Sequence, residues 1–326
     1  MHTKPIIAVL GDYECCLQRY ADWSQIQARA DVRFFHEPLD GESLYQAVRD
    51  AHAIALVRDR SPFAASLIER LPNLKLFVFT GLRNALLDYA ALLNQGVTVA
   101  CTRGGPSKET TAELSWALIL AASKQVVDQS QMLNGGQWRN AHSVLPMLHG
   151  QRLGIIGLGG IGSLMAKVGA AFGMELVCWS PNMTHERANA AGCEFLPLET
   201  VLQTSKIVSL HLVASEQTKG LIHRDRLAMM RTDSVLVNTS RSSLIVTEDL
   251  IAALKLGRPG QAALDVFDQE PLPKDSELHR TPNLLMTPHL GFVAEPIFQG
   301  FAQGLVDTLD AWLNGKPVPM PYPANS

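Results

Sequence analysis

Residues 153–172, LGIIGLGGIGSLMAKVGAAF, decide the reading of this chain. The apolar run 153–156 reads as a buried strand, and 163–172 carries apolar residues at helical spacing. Between them lies GLGGIG, with Gly157, Gly159 and Gly162 in the GxGxxG spacing. Strand, glycine turn and helix, in that order, form the context in which this spacing points to a dinucleotide. The first glycine permits the tight turn and the second lets the backbone approach a pyrophosphate. The third lets helix pack on strand, and the first N–H groups of the helix then face the phosphates. Gly160 and Ile161 complete the turn and join the candidate contacts. The competing reading is an ordinary tight βα turn. The motif stands near the middle of 326 residues, so another unit precedes it.

Working outward, apolar runs at 6–10, 53–57, 74–79 and 97–101 read as strands. Helical patterns at 43–51, 63–70 and 88–94 alternate with them, which implies a parallel sheet covered on both faces. Residues 107–134, bounded by glycine pairs, read as one long bridging helix. A second alternation follows, with strands at 153–156, 175–179, 207–211, 235–238, 262–266 and 284–286. Thr247, before Glu248 and Asp249, reads as a helix N-cap, and Gly257 as the stop of that helix. A last helix, 296–314, is expected to return to the first lobe. The α/β class therefore takes the form of two doubly wound parallel-sheet domains. A Rossmann-type nucleotide domain, 104–292, is inserted into a flavodoxin-like substrate domain made of 1–103 and 293–326.

Composition narrows the function classes. A net charge of −3 without any basic block argues against nucleic acid, while leaving room for a small anion held by a few arginines. The five cysteines form no CxxC pair, so neither a metal site nor a disulfide framework is expected. They read as reduced thiols of a cytoplasmic protein, mostly small core residues. The N-terminal MHTKPIIAVL is too short for a signal peptide, and no run is long enough for a membrane span.

Three polar residues follow predicted strands, where open α/β sheets bind ligands. Arg241 follows VLVNTS, Glu270 lies in DQEP and His289 follows LLMTP. An arginine can hold a carboxylate through paired hydrogen bonds. A histidine can protonate a carbonyl oxygen, and a glutamate on its other nitrogen fixes the tautomer. Each also has a bland reading, as a surface ion-pair partner, a solvated acid or a loop residue.

The ordered set GLGGIG, AFGM (171–174), VSLHL (208–212), VNTSR (237–241), LDVFDQEPLP (264–273) and TPHLG (287–291) resembles the D-isomer-specific 2-hydroxyacid dehydrogenases. GGQW (135–138) and LKLFVFTG (74–81) extend the resemblance over essentially the whole chain. It implies hydride transfer between a nicotinamide cofactor and C2 of a small 2-keto or 2-hydroxy acid. The matching arginine, Arg241, would bind the substrate carboxylate. His289 would be the acid/base, paired with Glu270. Asp265 would lie near the nicotinamide, with Thr239 and the His211 segment beside the cofactor. A homodimer through the nucleotide domain is also implied.

Departures from the family pattern matter. Ser180 stands where an acidic residue usually holds the ribose hydroxyls, with Asn182, Thr184 and Arg187 following. Without that acid nothing repels a 2′-phosphate, so the cofactor is NAD or NADP, with a lean toward NADP or dual use. Ser242 replaces the glycine usual after the catalytic arginine. Gly81, Leu82 and Arg83 occupy the substrate loop, and Arg60 a second such loop. Arg83 or Arg60 is expected to add a cation for a second anionic group, against the alternative of an ion pair to Asp59 or Asp88. Trp116 reads as packing, and Trp138 as structural or at a subunit contact. A dinucleotide-sensing corepressor on the same scaffold is the alternative, disfavoured because a sensor needs no proton donor. A Rossmann-type methyltransferase fits poorly with the later motifs.

Overall fold

Short apolar runs such as IIAVL (β1, Ile6–Leu10), AIAL and LFVFT lose nearly all solvent contact, as strands covered on both faces must. The computed structural model describes residues 4–323 and divides into two units. One comprises the chain up to Pro106 and from Ala294 on; the other is Ser107–Val293.

In the first unit β1 is joined by β2 (Asp31–Phe35), β3 (Ala53–Leu56), β4 (Leu76–Thr80) and β5 (Thr98–Thr102). All pairings are parallel, in the flavodoxin-like order β2-β1-β3-β4-β5. The sequence reading missed β2. As an edge strand, DVRFF keeps polar residues toward solvent and shows no continuous apolar run. The helix Glu295–Leu313 returns to this sheet. A side chain at its Gly304 would meet Thr102 of β5 at 2.7 Å, and Ile297, Phe298, Phe301, Leu305 and Leu309 are buried. Arg29 pairs with Asp310 on the same helix.

The second unit holds β6 (Arg152–Ile156), β7 (Glu175–Trp179), β8 (Glu194–Phe195) and β9 (Ile207–Leu210). It continues with β10 (Val235–Asn238), β11 (Gln261–Leu264) and β12 (Leu284–Met286). The order β12-β11-β10-β9-β6-β7-β8 is the Rossmann order extended by one strand. Together the two all-parallel sheets give the expected fold class. The two-residue edge strand β8 was invisible in the sequence for the same reason as β2.

Three local expectations need correction. The segment 107–134 forms two helices, Ser107–Ser123 and Val126–Asn134, separated at Gln125, whose φ of +47° breaks the ladder. The second helix buries none of its residues, so the apolar face that supported a single helix stops at Ser123. Val246, not Thr247, occupies the cap of helix Thr247–Lys255; the Thr247 hydroxyl instead donates to Asp268 at 2.6 Å. The helix expected at 63–70 shrinks to Ala65–Ile68, because fully buried Phe63 is extended and bridges to Leu87.

Candidate active site

Register places the candidate residues of the larger unit. Trp179, Ile156, Leu210, Asn238, Leu264 and Met286 stand opposite one another across six parallel strands. The next residue on each strand therefore emerges at one carboxyl edge: Ser180, Gly157, His211, Thr239, Asp265 and Thr287. Backbone bonds continue the ladder there, with His211 N donating to Ile156 O at 2.7 Å and Asp265 N to Asn238 O at 3.0 Å.

The glycine turn is shaped by close approach. Gly157 has φ +104°, and a Cβ there would meet the backbone of His211 and Leu212 at 2.6–2.7 Å. A Cβ on Gly162 would lie 2.1 Å from Gly157 O, so helix Gly160–Ala171 can start only with glycine at that point. Gly159, the cap of this helix, faces open space: nothing approaches its Cβ position within 4 Å. It has no side-chain cap, and the first turn carries no acid. Unfilled N–H groups at the positive end of a helix, reached across an open glycine, fit a pyrophosphate. Ile161, half-buried, follows in the first turn.

Ser180 accepts from Leu158 N at 3.2 Å, tying the end of β7 to the glycine turn. Asn182 is exposed, and its carbonyl accepts from Arg187 Nη1 at 2.8 Å. His211 Nε2 bonds the Ser209 hydroxyl at 2.8 Å, and burial pulls its pKa down to about 4, so the ring is neutral near pH 7. Buried Thr239 shares a 2.6 Å hydrogen bond with Ser115 of helix Ser107–Ser123.

His289 and Glu270 come together. The imidazole Nδ1 lies 2.5 Å from Glu270 Oε2, while Oε1 accepts from Phe267 N at 2.9 Å. Burial pushes the Glu270 carboxyl up. His289, the Phe267 N–H and the charge of Arg241 outweigh it and hold the pKa below the ordinary value. His289 sits at φ +54° and rests edge-on against Phe292. Its loop hangs on Asp265, whose Oδ1 accepts from Thr287 Oγ1 (2.6 Å) and Leu290 N (2.8 Å), and whose Oδ2 accepts from Gly291 N (2.9 Å). Burial raises the Asp265 pKa despite these donors. Thr111 Oγ1 lies 2.8 Å from Gly291 O, and a further anchor runs through it.

Arg241 is exposed, with Nη1 donating to Ser240 O at 2.7 Å. Asn238 fixes this loop from both sides. Its Nδ2 donates to Arg241 O (2.8 Å), and its Oδ1 accepts from Ser240 N (3.0 Å). The sequence reading passed over Asn238 as a strand residue, although an asparagine ending an apolar strand is a turn signal.

In the smaller unit Arg60 is engaged. Its guanidinium forks onto Glu14 at 2.6–2.7 Å, donates to Gly11 O and lies 4.4 Å over the Tyr13 ring. Glu14 is thus an ion-pair partner of Arg60. Gly81 has φ +95°, and its missing Cβ is replaced by the Arg58 guanidinium, whose Nη1 falls 1.8 Å from that position. Arg58 was overlooked because only contact with Gly81 singles it out. Leu82 and Arg83 are exposed, and among the described residues no ion pair engages Arg83.

A doubly wound sheet with a glycine turn open at a helix N-terminus has the form of a dinucleotide-binding domain. Residues 116–291 match the family model described as D-isomer specific 2-hydroxyacid dehydrogenase, NAD binding domain. A glyoxylate reductase of Aeropyrum pernix is 32% identical, over 87% of this chain and 86% of that protein. A glyoxylate/hydroxypyruvate reductase B of Erwinia tasmaniensis is 34% identical, over 77% and 79%. The crystal structure of a phosphoglycerate oxidoreductase from Vibrio cholerae superposes with a TM-score of 0.83 at 32% identity, covering 93% of this chain and 98% of that one. The chain belongs to the D-isomer specific 2-hydroxyacid dehydrogenase family, whose members are nicotinamide-dependent oxidoreductases. Among the described residues no helix is long and apolar enough to cross a membrane.

Proposed function

We propose that this protein interconverts a small 2-keto acid and the corresponding 2-hydroxy acid, with NAD(H) or NADP(H) as redox partner. The observation that carries the reading is the Glu270–His289 pair with the charge of Arg241 beside it. A nicotinamide dinucleotide whose pyrophosphate the glycine turn would hold would supply the hydride to C2, or accept it in the reverse direction. Glu270 occupies Nδ1 of His289, which leaves Nε2 to give its proton to the carbonyl oxygen as the alkoxide develops. The carboxylate then stabilises the imidazolium before reduction and fixes the tautomer after it. Arg241 binds the substrate carboxylate through paired hydrogen bonds and orients C2. Asp265 keeps the His289 loop in place, and Gly157, Gly159, Gly160, Ile161, Gly162, Ser180, Asn182, His211 and Thr239 form the cofactor side.

Substrate recognition falls to the Gly81–Leu82–Arg83 loop, with Arg60 shaping its neighbour through Glu14. Arg83 supplies a cation for a second anionic group. The relatives named for glyoxylate and hydroxypyruvate support small 2-keto acids as the substrate class. At Ser180 a hydroxyl stands where an acid would repel a 2′-phosphate, which supports use of NADP or of both dinucleotides. Exposed Val126, Val127, Leu133, Trp138, Val144 and Met147 support a homodimer formed through the larger unit.

A panel of 2-keto acids, assayed with NADH and with NADPH by loss of nicotinamide absorbance, tests the reading. Turnover of at least one small 2-keto acid is expected. No turnover with either cofactor would sink it, and a strong preference for NADH would sink the NADP lean alone.

A further inference from the structure

One cation bears on the glycine turn from outside the GxGxxG motif. Gly160, the first residue of helix Gly160–Ala171, has no side chain, and Lys108 lies across it. From the Cβ position of Gly160, Lys108 Cδ, Cε and Nζ are 2.9, 3.1 and 3.3 Å away. Lys108 opens helix Ser107–Ser123, which is fastened beside the cradle. Trp116, eight residues on, touches the Gly169 position at 3.6 Å, and Ser115 bonds Thr239. Among the described residues no ion pair or side-chain hydrogen bond engages the Lys108 ammonium. It stands, exposed, next to the open space over Gly159, at the end of a helix whose first turn holds no acid.

We propose that Lys108 is a dinucleotide-binding residue, whose ammonium pairs with the pyrophosphate that the glycine turn receives. The inference rests on the dinucleotide reading of the larger unit. Helix N–H groups supply direction to an anion but only a partial charge. A doubly charged pyrophosphate leaves room for one full cation, and residue 160 cannot supply it. Packing of one helix on the other therefore delivers a charge that the motif itself lacks. A point charge on a flexible stem suits a diphosphate, which needs no planar fork.

The test is equilibrium binding to the full-length protein, by calorimetry or by quenching of tryptophan emission. The probes are NADH, NADPH, ADP and adenosine, at low and high salt. K108A is expected to bind NADH and ADP about tenfold more weakly, the scale of one charge-assisted contact, with a shallower salt dependence than wild type. Adenosine affinity should be unchanged, and K108R should stay close to wild type. Moving the charge, in the double variant K108A/G160R, should recover most of the NADH affinity. Unchanged NADH binding by K108A would overturn the proposal. Equal weakening of adenosine would also overturn it, since it would mark a packing role. A wild-type protein that binds neither NADH nor NADPH would instead overturn the dinucleotide reading itself.

Discussion

Two parallel sheets end in contrasting edges. In the smaller unit the strand-end loops close on themselves. Arg60 is matched by Glu14 and stacked on Tyr13, the Arg58 guanidinium covers Gly81, and buried Asp12 accepts from Cys16 N at 3.0 Å. In the larger unit the groups proposed for the chemistry keep hydrogen-bonding capacity unspent. His289 uses one ring nitrogen, Arg241 lends one guanidinium nitrogen to its own loop, and the turn at Gly159 faces open space. The same architecture thus builds a self-satisfied edge that can shape a loop, and an edge held short of satisfaction, as chemistry requires. The contrast recurs on a smaller scale between two carboxylates. Asp265 spends both oxygens on three donors of the protein and is a structural anchor. Glu270 gives one oxygen to the backbone and one to the His289 imidazole.

The sharpest way to break this comparison is at the unspent valence. H289A should lower kcat by roughly 10²–10⁴-fold, as loss of a general acid does, with dinucleotide affinity nearly unchanged. Steady-state rates alongside NADH titration check this, and a retained kcat would remove His289 from the chemistry. At the anchor the cost should appear as stability instead. D265A strands the Leu290 and Gly291 N–H groups and the Thr287 hydroxyl, and should lower unfolding free energy by about 2–4 kcal/mol in urea titration. Wild-type stability in that variant would mean that the loop is held by other contacts.

A pH experiment probes the same edge. His211 binds its proton near pH 6.5 when unfolded but only near pH 4 when folded. The unfolded chain takes up the proton first, so stability is full above pH 6.5 and falls as pH drops toward 4. The whole effect approaches about 3 kcal/mol. Melting temperatures at pH 7 and 4.5 should diverge less in H211Q than in wild type, and equal slopes would contradict the burial argument. The smallest effect is expected in the smaller unit, at exposed Arg83, which no ion pair engages among the described residues. R83A should raise KM several-fold for a dianionic substrate and leave kcat near wild type, on the scale of one exposed charge contact. R60M should act through stability and loop shape. No change in KM with R83A for any anionic substrate would remove Arg83 from recognition.

Much of this was legible in the sequence, because central parallel strands are written as unbroken apolar runs. Strands at 175–179 and 235–238 need no adjustment against the structure. Strands β2 and β8 were illegible because neither carries a continuous apolar run: Arg33 interrupts DVRFF, and β8 is two residues long. The break at Gln125 was hidden because a left-handed φ at a non-glycine residue leaves little trace in sequence. At the site, glycine spacing and strand-end polar residues pointed to the cradle and to the His–Glu pair. Arg58, Lys108 and the Glu14 partner of Arg60 depend on contacts between segments tens of residues apart, which spacing does not encode.

The shared register row has a consequence for how such a chain can change. Ser180, Gly157, His211, Thr239 and Asp265 are counted from one datum line, each one step beyond a paired residue. Insertions beyond that line lengthen a loop and leave the line where it is. A single-residue deletion inside β11 would turn the Asp265 carboxylate to the opposite face and release the His289 loop. The molecule is therefore modular on one side of the line and intolerant on the other, so new specificities are best grafted downstream of it.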